Sequence, residues 1–211
     1  MIENIYKNNI REMRLVDLVN IRAARQPSRV ENYPFDSSLP YMDIQALVSG
    51  NPERFAEKSG YIVGEEDILV VKDGYRSGRV FHAKEGIAAS TLTILSPKGD
   101  EVQMSYLYCY LSYCYDDFQN RKKGSAIWHL DMNYLRQLNV PIPDRTLQQI
   151  IAEKYHGLEI LAAEIRKKAL QLKELSGELD NKKLKKQSES LNLQVEMTLK
   201  AWLYQIFKRT L

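Results

Sequence analysis

The chain predicts an α+β fold: a mixed or antiparallel sheet domain, then a long coiled-coil helix and a C-terminal helix. Three observations carry this. Up to Leu95 short β-rich runs alternate with tight polar turns. From Ile151 onward, apolar residues recur with a 3.5-residue period. Between the two, Pro141 and Pro143 forbid a helix and hold the backbone extended. The 211 residues thus divide into a globular domain, 1–143, and a helical region, 144–211. The helical region comprises a coiled coil over 147–180 and an amphipathic helix over 190–209.

In chain order, Leu15–Ile21 is a short amphipathic piece followed by Arg22, Arg25 and Arg29. Leu39-Pro-Tyr-Met-Asp-Ile44 reads as a strand entering a core, and Ser49-Gly-Asn-Pro52 as a turn. Tyr61–Val63 and Ile68–Val71 are β-rich and flank the polar turn Gly64-Glu-Glu-Asp67. Gly74 and Gly78 supply the next turn, Val80-Phe81 starts the return strand, and Ser90–Leu95 alternates as a further strand. The period then changes: Leu107, Tyr110, Leu111 and Cys114 predict a helix over Tyr106–Phe118. Ile127–Leu130 reads as a short strand, and Asp131–Leu138 as a short helix.

After the prolines, Asp144 or Thr146 can cap a helix by accepting from its first free N–H groups. Its seam runs Ile151, Tyr155, Leu158, Ala162, Ile165, Ala169, Leu172, Ser176 and Leu179, the pattern of a helix that winds against a similar helix. Gly177 weakens the helix and the seam reaches a lysine at 183, so Asn181–Ser190 reads as a loop or frayed helix. Leu191, Val195, Leu199, Trp202, Leu203, Ile206 and Phe207 then form a wide stripe that must bury against the first helix or a second chain.

The composition excludes several classes. No apolar run spans a bilayer and Met1–Ile5 lacks a signal pattern, so a cytoplasmic protein is expected. Cys109 and Cys114 read as two reduced core thiols, and His82, His129 and His156 lack zinc-ligand spacing. Asn51-Pro-Glu-Arg-Phe55 is not preceded by a glycine-rich cofactor loop, and a phosphate loop is absent. Glu65, Glu66, Asp67 and Asp73 near Lys72 fit turns around a buried strand better than a magnesium site. Ser90 and Ser125 lack a histidine and acid at triad-like spacing. Neither a catalytic nor a metal site is expected.

What remains is binding. Lys72, Tyr75, Arg76 and Arg79 share one glycine-bracketed loop; Arg121, Lys122, Lys123 and Ser125 share another. Such groups neutralise phosphates and hydrogen-bond base edges, and Arg22 and Arg25 could extend the strip. The charge balance opposes this: residues 1–143 carry 17 Lys/Arg against 18 Asp/Glu, and the rest carry 13 against 9. Any nucleic-acid attraction must therefore come from local clusters. A coiled-coil adaptor binding protein is the alternative.

From Leu39 to Leu179 the chain resembles the specificity subunits of type I restriction–modification systems. The matching pieces are Leu39–Ile44, Asp67–Gly74 with Gly78, Ala89-Ser90, Tyr106-Leu107 with Tyr110-Leu111, Gly124–Ala126 with Leu130, Leu138–Pro143 and Gln148–Ile151. Thr146-Leu147 departs from the acidic residues the family usually has there. The resemblance implies a DNA target recognition domain followed by a spacer helix, in a half-size, non-catalytic subunit. Two copies, packed antiparallel as a homodimer, would read a bipartite palindrome on double-stranded DNA. The resemblance also implies a methyltransferase subunit and possibly a restriction subunit as partners. S-adenosylmethionine, Mg2+ and ATP would belong to those partners, with Trp202, Ile206 and Phe207 as an expected docking surface.

Overall fold

The structure is a computed structural model, and it describes residues 10–58, 61–124, 127–178 and 182–210. Ser125 and Leu179 lie outside the described residues. Strand β1 (Arg11–Arg14), one helical turn α1 (Leu15–Leu18) and β2 (Val19–Ala23) come first, so the amphipathic piece is part turn and part strand. Next come β3 (Val30–Glu31), β4 (Ser38–Met42), α2 (Ile44–Ser49), β5 (Phe55–Glu57), β6 (Ile62–Val63), β7 (Ile68–Val71), β8 (Val80–His82), β9 (Gly86–Ala88) and β10 (Leu92–Pro97). Helices α3 (Met104–Tyr113), α4 (Tyr115–Asn120) and α5 (Met132–Gln137) lead to β11 (Asn139–Ile142). Two long helices, α6 (Arg145–Glu178) and α7 (Lys182–Thr210), complete the order.

Two larger sheets, the β1-β11 ribbon and a helical layer build the first domain. One sheet is antiparallel, β2-β10-β7-β8; the other is β3-β5-β4-β9-β6, in which β4 and β9 run parallel. Strand β7 shows how they stack. All four of its residues are buried: Leu69 and Val71 face the second sheet, while Ile68 and Val70 face the helices. A strand covered on both sides needs a continuous apolar run, and Ile-Leu-Val-Val supplies it. The expected 106–118 helix divides at Cys114 into α3 and α4. Helix α2 was not expected: Asp43 accepts from the Ala46 N–H at 2.8 Å and Gly50, at φ +75°, closes the other end.

The proline segment forms β11, paired antiparallel with β1. Two tyrosines of α3 occupy its other carbonyls, Tyr110 donating to Asn139 O and Tyr106 to Pro141 O, each at 2.7 Å. Asp144, rather than Thr146, caps α6 by accepting from Leu147 N–H at 3.0 Å. Buried Gln148 then accepts from Gln103 N–H and donates to Pro143 and Glu101 carbonyls. The base of α6 is thereby fastened to the sheet domain, and Leu147, Ile151 and Tyr155 share its core.

The seam of α6 finds a partner in its own chain. Tyr155 stacks on Trp202 and Leu172 lies beside Gln187 and Leu191, so α7 returns antiparallel along α6. Ala162, Ala169 and Ser176 are buried in this hairpin, facing a line that includes Ser188 and Val195. Small residues on both sides let the axes approach closely. The loop or frayed helix expected at 181–190 is a correction: α7 begins at Lys182, because Leu184, Ser188, Leu191 and Val195 continue the seam while Lys182, Lys183, Lys185 and Lys186 face water. Phe207 is fully buried against Tyr106, Tyr110 and Tyr113, which removes it as a docking residue. Trp202 and Ile206 are half-buried beside it. Leu158 and Leu172 are half-buried, and Ile165 is 37% exposed. Among the described residues no helix is long and apolar enough to cross a membrane.

Candidate nucleic-acid interface

Antiparallel pairing brings several loops to one end of the four-stranded sheet. Ala24 N–H bonds Leu92 O and Lys72 N–H bonds Thr91 O, which sets the segments carrying Arg25, Ser90 and Lys72 side by side. Gln26 reinforces the junction by accepting from the Ser90 hydroxyl at 3.2 Å. The loop from Lys72 to Arg79 turns at Gly74 and Gly78, with φ of +98° and +88°. It leaves Tyr75 83% exposed and Arg79 exposed, with Arg76 partly so. A Cβ on Gly78 would sit 2.6 Å from the Phe118 Cβ. Gly78→Ala is therefore expected to destabilise by about 2–4 kcal/mol in urea unfolding, from positive φ plus overpacking.

The second loop closes on the first. Ile127–Leu130 is not a strand; single bridges pair His129 with Asp73 and with Lys123. Gly74 N–H donates to Trp128 O at 2.8 Å, and Leu130 N–H to Lys72 O at 2.8 Å. Lys122 Nζ donates to Tyr75 O at 3.1 Å and lies 5.6 Å from the Tyr75 ring and 5.9 Å from the Trp128 ring. The two basic loops thus form one surface, with a cation between two aromatic faces. Trp128, Ile127 and His129, exposed on that surface, were missed in the sequence because the run was read as a strand. The glycine and lysines before them were the available signal.

The expected cations differ in availability. Arg121 lies over the Tyr134 ring at 4.3 Å, and Arg79 over Phe81 at 5.2 Å. Lys72 Nζ is held by Ser90 O at 3.0 Å and Asp73 at 3.4 Å. Lys123 pairs with Asp131 at 2.7 Å, which holds that carboxyl below the usual range while it caps α5. The Lys123 side chain is still 64% exposed, so the ammonium faces solvent on its other sides. Arg22 sits within β2 and donates to Ser96 at 3.3 Å, away from this end of the sheet. Arg25 is exposed at the end itself.

A cavity of about 390 Å³ lies elsewhere, where β8 and α3 meet α6, lined by His82, Tyr108, His156 and Glu159 among others. Tyr108 OH donates to Glu159 at 2.6 Å. Burial pushes the Glu159 carboxyl up and, first among its causes, lowers the His82 imidazole. A carboxyl raised on folding stabilises only below its unfolded value and loses that contribution as pH rises through the folded value. Glu159→Gln is thus expected to stabilise the chain at neutral pH in thermal unfolding, by an amount that shrinks as pH falls through the carboxylate range. Burial also pushes the Cys114 thiol up to about 12 and Cys109 higher, so both are unreactive thiols. Among the described residues, no group of three or more His, Cys, Asp or Glu side chains is placed to hold a metal ion.

The model of the type I restriction modification DNA specificity domain matches residues 7–174. The specificity subunit of the type I restriction enzyme MjaVIII of Methanocaldococcus jannaschii is 26% identical over 157 residues, covering 74% of this chain and 37% of that protein. The S subunit of the M. genitalium type I restriction–modification system superposes with a TM-score of 0.57 at 16% identity, over 82% of this chain and 44% of that one. The HsdS subunit from Thermoanaerobacter tengcongensis gives 0.54 at 17% identity, over 97% and 46%. A chain from a structure of type I R-M complex assembly gives 0.63 at 16%, over 97% and 47%. The structural likenesses show a shared fold, and the chain spans less than half the length of each of these relatives.

Proposed function

The chain belongs to the family of type I restriction–modification DNA specificity domains, and from that premise we propose that it reads one half of a bipartite DNA site. The observation that carries this is the joining of two basic loops into one surface. Lys122 lies between exposed Tyr75 and Trp128, and the same two loops carry exposed Arg79 and Arg121. The domain's near-zero charge leaves such a cluster as its source of attraction for phosphate.

One copy reads one half-site, and an antiparallel homodimer reads two identical ones related by a two-fold. Because α7 fills the Ala162–Ala169–Ser176 line, the second copy packs beside it. Leu158, Leu161, Ile165, Leu172 and Leu175 form a neighbouring stripe on α6, with Leu161 56% and Leu175 45% exposed. Each such side chain buried stabilises the pair by roughly 1.5–3 kcal/mol. From Ile151 to Ser176 the seam is about 37 Å long at ~1.5 Å per residue, which matches half-sites about one turn of DNA apart. The chain itself modifies nothing in this reading. It brings a methyltransferase subunit, and in some assemblies a restriction subunit, to the site; S-adenosylmethionine, Mg2+ and ATP act on those partners, and the setting is cytoplasmic.

Sedimentation of the purified chain with a variant carrying Leu161→Glu and Ile165→Glu tests the arrangement. A dimer that the double variant dissolves, with the thermal transition unchanged, is expected; a monomer at high concentration for the parent chain rejects it.

A further inference from the structure

Resting on the DNA-reading function proposed above, we infer that His129 is a base-edge contact and that Asp73 is the residue that positions it. The imidazole Nδ1 lies 2.7 Å from Asp73 Oδ1, while the side chain as a whole is 52% exposed and that of Asp73 25%. The backbone fixes the ring's origin as well. His129 bridges both Asp73 and Lys123, so it stands at the point where the two basic loops meet. A carboxylate can only accept, so it selects the form of the ring that carries a proton on Nδ1. Nε2 is then the ring's remaining hydrogen-bonding atom, and it has no partner among the described residues.

Charge contacts with phosphate need no such orientation, and Lys122 beside Tyr75 and Trp128 already supplies one. A ring held at one nitrogen and open at the other suits a directional partner. In the neutral form Nε2 presents a lone pair, which accepts from the exocyclic amino group of adenine or cytosine in the major groove. Asp73 is held in turn: its Oδ2 is 3.4 Å from Lys72 Nζ, and Lys72 is anchored on Ser90 O. Two variants separate positioning from mere structure. His129→Ala removes the contact. Asp73→Asn keeps the shape, but Lys72 attracts the amide oxygen, so the amide NH2 faces Nδ1. That reverses the tautomer and turns Nε2 into a donor.

The test is selection of bound duplexes from a randomised pool at mildly alkaline pH, followed by affinity and salt-slope measurements. For His129→Ala, preference should relax at a single base pair of each half-site. Cognate affinity should fall about 5- to 150-fold per half-site, with the salt slope and non-cognate affinity unchanged. For Asp73→Asn, preference at the same base pair should shift from an amino-bearing base towards an acceptor. A parent chain that binds no duplex overturns the DNA reading itself. A parent chain that selects a sequence which His129→Ala leaves intact, or a variant that loses affinity uniformly for all sequences, overturns the assignment of His129 alone.

Discussion

Phe207→Ala lowers the stability of the chain by about 3–5 kcal/mol, the cost of emptying a large aromatic site in a packed core. The effect is large because Phe207 has no exposed surface and its ring sits 5.1–5.9 Å from the rings of Tyr106, Tyr110 and Tyr113. Those tyrosines do more than pack. Tyr106 and Tyr110 also hold the carbonyls of β11, so a cavity at Phe207 loosens the strand that launches α6. Chemical denaturation of the parent and variant, followed by far-UV circular dichroism, measures the loss. A loss under about 1 kcal/mol, the range of ordinary surface substitutions and milder, would mean that α7 does not dock on α3.

Raising salt from 50 to 200 mM weakens duplex binding by about 10³–10⁵-fold, as six to ten phosphate contacts require. Arg25, Arg76, Arg79, Arg121 and Lys122 lie on or beside the joined loops, and a two-fold pair doubles them. The sheet domain as a whole offers almost no net charge, so the slope reports this cluster rather than a diffuse field. Lys122→Ala should flatten the slope, by about one phosphate contact per copy. Salt-insensitive binding to protein, with no duplex affinity, would favour an adaptor instead.

The elements legible in the sequence were those fixed by local chemistry. Two prolines marked the extended segment that forms β11, Asp144 was one of two candidate caps for α6, and the Ile68–Val71 run marked a buried strand. The parallel pairing of β4 with β9 was not legible, since nothing local in Tyr41-Met42 or Ile87-Ala88 specifies a neighbour 46 residues away. The first turns of α7 bury only Ser188 and half of Leu184 and Leu191, a seam that its lysines obscure in the sequence. The sequence carries the period of α6 but leaves two covers for it, the terminal helix or a second chain. Periodicity fixes the face that is buried, not the chain that covers it.

At the candidate interface the sequence located both basic loops but not their union. Asp73, Trp128 and His129 gain meaning only when the turn after β7 meets the loop after α4, across more than fifty residues of chain. Asp131, at the start of the short helix expected over Asp131–Leu138, caps α5 and also pairs with Lys123, a contact that the sequence does not announce.

Base-resolved methylation in cells that carry this chain and one cognate methyltransferase subunit, without any other specificity subunit, tests the central claim most directly. The two-fold account predicts a bipartite palindrome. It further predicts that one heptad inserted at matched positions of α6 and α7 lengthens the spacer by about three base pairs, from ~10.5 Å of added helix. A strictly asymmetric methylated sequence, or a spacer that ignores the insertion, would contradict it.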